Sequence, residues 1–449
     1  MNNYSLIEKY NVPVPRYTSY PTVPNWTINQ PRSEEWISSI NEQLIKDKEI
    51  SLYIHLPFCE ELCTYCACNK RITKNHSVES PYIDSLLKEW KYYIQHLSVR
   101  PIIKELHFGG GTPTFFSSNE LRRLVNGIEK LSKFSDQKLF SLEVHPNTTT
   151  YDQLRTLREL GFNRLSIGVQ DVNEFILSAI NRTQTKEQIE FLTSASNELG
   201  YESINYDIIY GLPFQRIEDI EETMSFINNQ RPDRLAFYSY AHVPWKSKGQ
   251  RAFSDEDVPD GQEKILLRLK GEEILKKIGY HHIGMDHYAL ESDTLYKSYI
   301  SGKLHRNFMG FTESSTKILI GLGASSISES HSMYVQNEKN VEAYQENINS
   351  GILPFIKGHR LNKAELLIRD NIISLMCQNS TSWDKNEAAE YIMEKALHRM
   401  SSKVQEGLVI VDKNVLQITP KGRAFVRNIC ADIDIHFSHQ SEKLFSKAL

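Results

Sequence analysis

Short apolar runs rich in β-branched residues recur along the first half of the chain, each followed by a loop and an amphipathic stretch of helical period. This alternation constrains the fold more than any other feature. The runs are Leu52 to Leu56, Ile103 to Phe108, Leu139 to Val144, Leu165 to Val169, Ile204 to Ile209 and Leu235 to Tyr240. Such βα units predict parallel strands, arranged either as an incomplete barrel or as an open doubly wound sheet. The residues at the end of each run decide between them. After the first come four clustered cysteines; after the second, Gly109-Gly110-Gly111-Thr112; near the ends of the others, Glu143, Gln170 with Asp171, Asp207 and His242. Polar and glycine positions gathered at one end of every strand are what a barrel mouth requires, so the expected class is α/β with an incomplete (β/α)6 barrel of the TIM type.

Two regions flank that core. Pro15 to Thr22 is aromatic and proline-punctuated, which predicts an extended arm rather than a helix. From about Leu361 the pattern changes to helices around Glu365 to Met376 and Glu387 to Val404. Two short strands come next, Leu408 to Val411 and Val415 to Ile418, turned by Lys413-Asn414; a last helix is capped at Thr419-Pro420 and runs through Ile429. The resulting organisation is an N-terminal arm over 1–45, a barrel over 46–355 and a mostly helical, winged-helix-like domain over 356–449. Basic and acidic residues nearly balance in that last domain, so a lid or docking role is expected rather than DNA binding. A formal charge of -4 over 449 residues gives no electrostatic case for nucleic acid or an anionic membrane. No apolar run reaches membrane-spanning length, and Met1 to Asn11 lacks the apolar stretch of a secretory signal, which predicts a cytoplasmic protein.

Four of the six cysteines, Cys59, Cys63, Cys66 and Cys68, fall within one short loop. That crowding suits a soft metal better than disulfides. The spacing C-x3-C-x2-C offers three thiolates, enough to hold three irons of a 4Fe-4S cube and leave the fourth open to another ligand. Structural zinc is the competing reading, with Cys68 as a fourth donor, although such sites more often join two separated cysteine pairs. Cys377 and Cys430 sit in helix-like apolar patterns and read as core thiols. A glycine triplet is often only a turn. Directly after a strand and beside this loop, its backbone N–H groups could close on a carboxylate, as in the methionine portion of S-adenosylmethionine.

The cysteine loop after the first strand and the glycine segment after the second together resemble the radical S-adenosylmethionine (radical SAM) superfamily. Arg16 to Thr22, His55-Leu56-Pro57-Phe58-Cys59, Gly168-Val169-Gln170-Asp171, Asp207 to Pro213, Gly284-Met285-Asp286-His287 and Leu304 to Phe308 look like the oxygen-independent coproporphyrinogen III oxidases. The resemblance implies Cys59, Cys63 and Cys66 as cluster ligands. It places Tyr53, Gly110, Glu143 and Ile327 around a first adenosylmethionine. Tyr65, Gly111, Thr112, Gln170, Arg182, Asp207 and Ala241 would meet a second, with Cys68 beside it in a catalytic role. Tyr53, Ala241 and Ile327 also fit a plain core assignment, whereas Glu143, Arg182 and Asp207 are costly to bury unpaired.

By the same resemblance, a 5′-deoxyadenosyl radical takes hydrogen from propionate side chains, carbon dioxide leaves and vinyl groups remain. The substrate would be coproporphyrinogen III, with electrons from a low-potential donor of flavodoxin or ferredoxin type, in a monomer. Four substrate carboxylates call for cations, and Arg16, Arg71 and Arg306 are the candidates. Departures from the family pattern are Ala67 in place of glycine, His145 in place of aspartate and Met309 in place of glutamine. The alternatives are a radical enzyme for another tetrapyrrole, or a haem chaperone of the same superfamily; Cys68 and the N-terminal arm favour the oxidase.

Overall fold

Each apolar run becomes a strand in the computed structural model, which describes residues 3–245, 247–384, 386–437, 445 and 447. The strands are β1 (Glu49–Leu56), β2 (Ile102–Gly110), β3 (Lys133–Val144), β4 (Phe162–Gln170), β5 (Ser203–Tyr210) and β6 (Arg234–Ser239). They pair in parallel and in chain order, with Tyr53 opposite His107, Glu143 opposite Ser166 and Asp207 opposite Ala236. The helices Glu79–His96, Ser118–Leu131, Tyr151–Glu159, Lys186–Glu198, Ile217–Gln230 and Gly261–Lys277 alternate with them. Thr150 and Thr185 start two of these with capping boxes that include Gln153 and Gln188.

Alternation within each strand separates two faces. Ile50, Leu52 and Ile54, then Leu106 and Phe108, Phe140 and Leu142, Leu165 and Ile167 are all buried in one apolar core with the helices. The intervening residues line a lumen instead: Glu105 and His107, Ser141 and Glu143, Arg164 and Ser166, Asn205 and Asp207, Arg234 and Tyr238. The sheet runs well beyond the six predicted strands, to thirteen. Leu319–Leu322 lies parallel to β1, and Ile327–Glu329, Met333–Asn337 and Phe355–Arg360 continue from it antiparallel. On the other side His287–Ala289 pairs antiparallel with β6, and His281–Gly284 with His287–Ala289. These additions are short and do not join the two ends, so the barrel stays open. Their brevity hides them from a periodicity argument.

The C-terminal segment forms helices Lys363–Gln378, Glu387–Arg399 and Ser401–Gln405, strands Val409–Asp412 and Val415–Ile418, and a last helix Val426–Ile433. Thr419 Oγ1 does accept from the Gly422 amide at 3.1 Å, as the predicted cap requires, but a turn and a short 3-10 segment, Arg423–Phe425, come before the last α-helix begins. A third strand, Ser380–Ser382, was not expected; it pairs with Val415–Ile418. Residues 15–22 contain no α-helix, but helices Asn3–Tyr10 and Ser33–Leu44 flank them. Trp36, Ile40 and Leu44 of the second helix belong to the barrel core. Tyr17 and Tyr20 instead pack into the C-terminal core with Ile372, Met393 and Ile429. No helix among the described residues is long and apolar enough to cross a membrane.

Candidate active site

The cysteine loop leaves the end of β1 and is pinned on several sides. The Arg71 and Thr73 amides donate to the carbonyls of Pro57 (2.8 Å) and Cys59 (2.9 Å), and the Thr64 amide donates to Ile180 (3.1 Å). Asn181 Nδ2 donates to the Leu62 carbonyl at 2.7 Å. Within that frame Thr112 Oγ1 donates to Cys59 Sγ at 3.4 Å, and Arg182 Nη1 to Cys63 Sγ at 3.5 Å. Burial pushes the Cys59 thiol up to about 11. Cys66 is pulled down to about 6, first by its hydrogen bond with the Cys68 thiol and then by Lys70, whose Nζ donates to the Cys66 carbonyl at 2.9 Å.

A zinc site draws all its donors to about 2.0–2.3 Å of one point, whereas a cube takes each thiolate at a different iron. Three thiols on one loop, with hydrogen bonds already aimed at two of the sulfurs, fit the cluster. A cavity of about 100 Å³ adjoins them, lined by Cys59, Cys63, Thr112, His145 and Arg182. Burial and the nearby Arg182 hold His145 down to about 3, so this ring is neutral where the family pattern carries an aspartate.

The glycine triplet packs closely against the cysteine loop. Its amides are engaged: Gly110 N donates to Glu143 Oε2 at 3.2 Å, and Gly111 N to the Leu56 carbonyl at 2.9 Å. Lack of side chains matters for close approach, since a Cβ on Gly111 would stand 2.6 Å from the Pro57 backbone, and Gly110 holds a φ of +118°. The triplet therefore seats the cysteine loop and lies beside Glu143.

Arg182 is nearly buried and joins several expected contacts. It donates to Tyr65 Oη at 2.9 Å, to Gln184 Oε1 at 2.9 Å and to the Gly168 carbonyl at 2.5 Å. Gln170 is buried at a left-handed φ of +68°, a conformation disfavoured for a side-chain-bearing residue and often kept at functional sites. Glu143 and Asp207 share the lumen, of about 310 Å³. Asp207 accepts from Ser166 Oγ at 2.9 Å and Asn205 Nδ2 at 3.0 Å; burial, then Glu143, pushes its carboxyl up to about 6. Tyr53 stacks on His107 at 5.9 Å and bonds His55 Nδ1 at 3.0 Å. Ala241 is exposed, and its carbonyl accepts from Gln250. Ile327 packs in a small apolar cluster with Trp26, Tyr334 and Leu361.

The three candidate arginines separate. Arg71 is exposed and pairs with Glu342 at 3.1 Å, as a surface cation commonly does. Arg16 hydrogen-bonds Asp286 and lies over the Tyr238 ring. Arg306 is buried over Phe311. Sequence reasoning missed the lumen residues His107, Ser166, Asn205 and Tyr238, although polar residues at every second strand position were the signal. It also missed Lys70, which stands two residues past Cys68.

Residues 53–227 match the family model described as the radical SAM superfamily. The chain is 35% identical to the oxygen-independent coproporphyrinogen III oxidase of Pseudomonas aeruginosa, covering 99% of this chain and 98% of that protein. It is also 35% identical to the oxygen-independent coproporphyrinogen III oxidase of Escherichia coli K12, with the same coverage of each. The solved structure of the Escherichia coli coproporphyrinogen III oxidase, described as a radical SAM enzyme, superposes with a TM-score of 0.90. That superposition covers 96% of this chain and 98% of the other, at 32% identity in the structural alignment.

Proposed function

We infer, because this chain belongs to the oxygen-independent coproporphyrinogen III oxidases of the radical SAM superfamily, that it oxidatively decarboxylates coproporphyrinogen III to protoporphyrinogen IX without oxygen. The observation that carries this is similarity over essentially the whole length, with three thiols held on one loop at the barrel mouth. Cys59, Cys63 and Cys66 would hold a 4Fe-4S cluster, which with S-adenosylmethionine supplies a 5′-deoxyadenosyl radical when bound.

The chain's own residues shape where that chemistry happens. Tyr53, Gly110, Glu143 and Ile327 are proposed to orient a first adenosylmethionine. Tyr65, Gly111, Thr112, Gln170, Arg182, Asp207 and Ala241 would bind a second, with Cys68 proposed to act beside it. The lumen is closed at its floor by buried ion pairs: Arg164 with Glu313 at 3.4 Å, and Arg234 with Asp293 at 2.8 Å and Glu313 at 2.6 Å. Glu105 accepts there from Ser51 and Thr312, each at 2.6 Å. Such a plug keeps bulk water from entering below, while the arm covers part of the mouth. A low-potential flavodoxin or ferredoxin type donor would deliver electrons, and the free cysteines suit the reducing cytoplasm.

Anaerobic reconstitution with iron and sulfide, then incubation with coproporphyrinogen III, adenosylmethionine and a reductant, tests the reading. Protoporphyrinogen IX is the expected product, and two adenosylmethionines should bind per chain by equilibrium dialysis. Replacing Cys59, Cys63 or Cys66 by alanine should abolish both bound iron and adenosylmethionine cleavage. A full cluster in any one variant contradicts the ligand assignment. Stoichiometric haem capture without vinyl formation would assign the chaperone activity instead.

A further inference from the structure

Cations outnumber carboxylates where the N-terminal arm, the barrel rim and the C-terminal domain meet. Arg16, Arg306 and Arg427 come together there around Asp286. Arg16 takes that carboxylate. Arg427 donates to the backbone carbonyls of Val14 and Pro15. Arg306 is 6% exposed, and its Nε and Nη1 are enclosed with no hydrogen-bond partner. Beside it, His287 has a buried Nδ1 that also lacks a partner. A buried guanidinium with unmet donors is costly, and the Phe311 face, 4.8 Å away, offsets only part of that cost.

These groups form one continuous wall. Arg16 lies over Tyr238 at 5.7 Å, Tyr238 meets His287 edge-on at 5.9 Å, His287 meets Phe311 edge-on at 5.3 Å, and Phe311 carries Arg306. Tyr238, His287 and Phe311 all line the lumen that holds Glu143 and Asp207. An aromatic wall with cations at its two ends suits a ligand with an apolar macrocycle and carboxylates at its rim.

Building on the coproporphyrinogen reading above, we propose that Arg306 and His287 form a recognition site for a propionate carboxylate of the substrate, with Arg16 at the opposite end of the same aromatic wall. The enclosed Arg306 donors and His287 Nδ1 are reached only when the arriving carboxylate draws the Arg306 side chain toward the lumen, and the cost of leaving them unmet favours that exchange. Burial together with the neighbouring cations holds the His287 ring down to about 4, so it is neutral, and it donates to a carboxylate in the tautomer that carries its proton on Nδ1.

Binding of coproporphyrin III, the stable oxidised tetracarboxylate, to anaerobically reconstituted enzyme tests this, with its tetramethyl ester as the uncharged control. Arg306→Met removes the charge while nearly conserving volume. It should weaken coproporphyrin binding about tenfold to a hundredfold, leave the weak ester binding unchanged, and raise the Tm of the enzyme measured without ligand at equal iron content. Arg306→Lys should recover part of the affinity. Unchanged coproporphyrin affinity in Arg306→Met overturns the proposal. A lower Tm without ligand also overturns it, because a cation kept for structure stabilises the empty protein. A wild-type enzyme that neither binds coproporphyrin nor converts coproporphyrinogen III sinks the functional reading itself, a result distinct from the other two.

Discussion

Cys68 is exposed, yet its thiol is hydrogen-bonded to Cys66. Three ligands complete the protein's share of the cube, so Cys68 is positioned to act on what binds next to it rather than on the iron. Serine keeps a hydroxyl that can donate to the Cys66 sulfur but cannot give up a hydrogen atom or coordinate as a thiol does. Cys68→Ser should therefore retain iron and adenosylmethionine cleavage while making less than about a tenth of the normal protoporphyrinogen IX. Iron assay, 5′-deoxyadenosine yield and porphyrin product on one preparation decide it: lost iron would make Cys68 a ligand, and normal product would leave it without a role. At this scale the sequence is uneven as a guide. Thiol spacing is a local property and could be read directly, but Arg71 could not be told from Arg306, because Glu342, Phe311 and the barrel rim that give them opposite environments are contacts of folding.

At the scale of elements, the strand and helix alternation was legible because each βα unit carries its own period. What the period could not reveal was the use made of the loops. Gly109 to Gly111 reads equally as a turn or a ligand cradle, and only the packing shows that it supports the Pro57 to Cys59 segment. A methyl group on Gly111 meets backbone, which cannot rotate away as a side chain can. Gly111→Ala should thus cost about 1–3 kcal/mol of stability, as overpacking does, and displace the cysteine loop. The observable is iron per chain after reconstitution together with adenosylmethionine affinity, both expected to fall. Full iron loading and unchanged affinity would mean that the loop is held elsewhere, for example by Thr64 and Asn181.

For the molecule as a whole, long-range joints decide how its parts act together, and these were the least legible. Arg16 and Asp286 are 270 positions apart, and Glu89 gathers partners 234 to 255 positions away. Its carboxylate accepts from Tyr344 Oη at 2.6 Å, Asn337 Nδ2 at 2.8 Å and Gly323 N at 2.9 Å, tying helix Glu79–His96 to the added strands. Burial pushes Glu89 up to about 7, against an ordinary value of 4.5. The folded protein therefore holds this proton more tightly than the unfolded chain. The stability so gained is fully present below the unfolded value and is lost as pH rises through about 7. Glutamine cannot ionise, so Glu89→Gln escapes that loss, although it disturbs the same hydrogen bonds at every pH. Subtracting the variant's Tm change near pH 5.5 from its change near pH 8 removes the constant cost; the remainder should favour the variant by on the order of 2–3 kcal/mol, a few degrees in Tm. Histidines held neutral by burial, such as His287 and His305, act in the opposite sense, losing their contribution as pH falls below the usual histidine range. They are the same in both proteins and cancel in the comparison. A Tm difference that stays constant across this window would show that Glu89 remains ionised in the fold, its charge carried by the three donors around it.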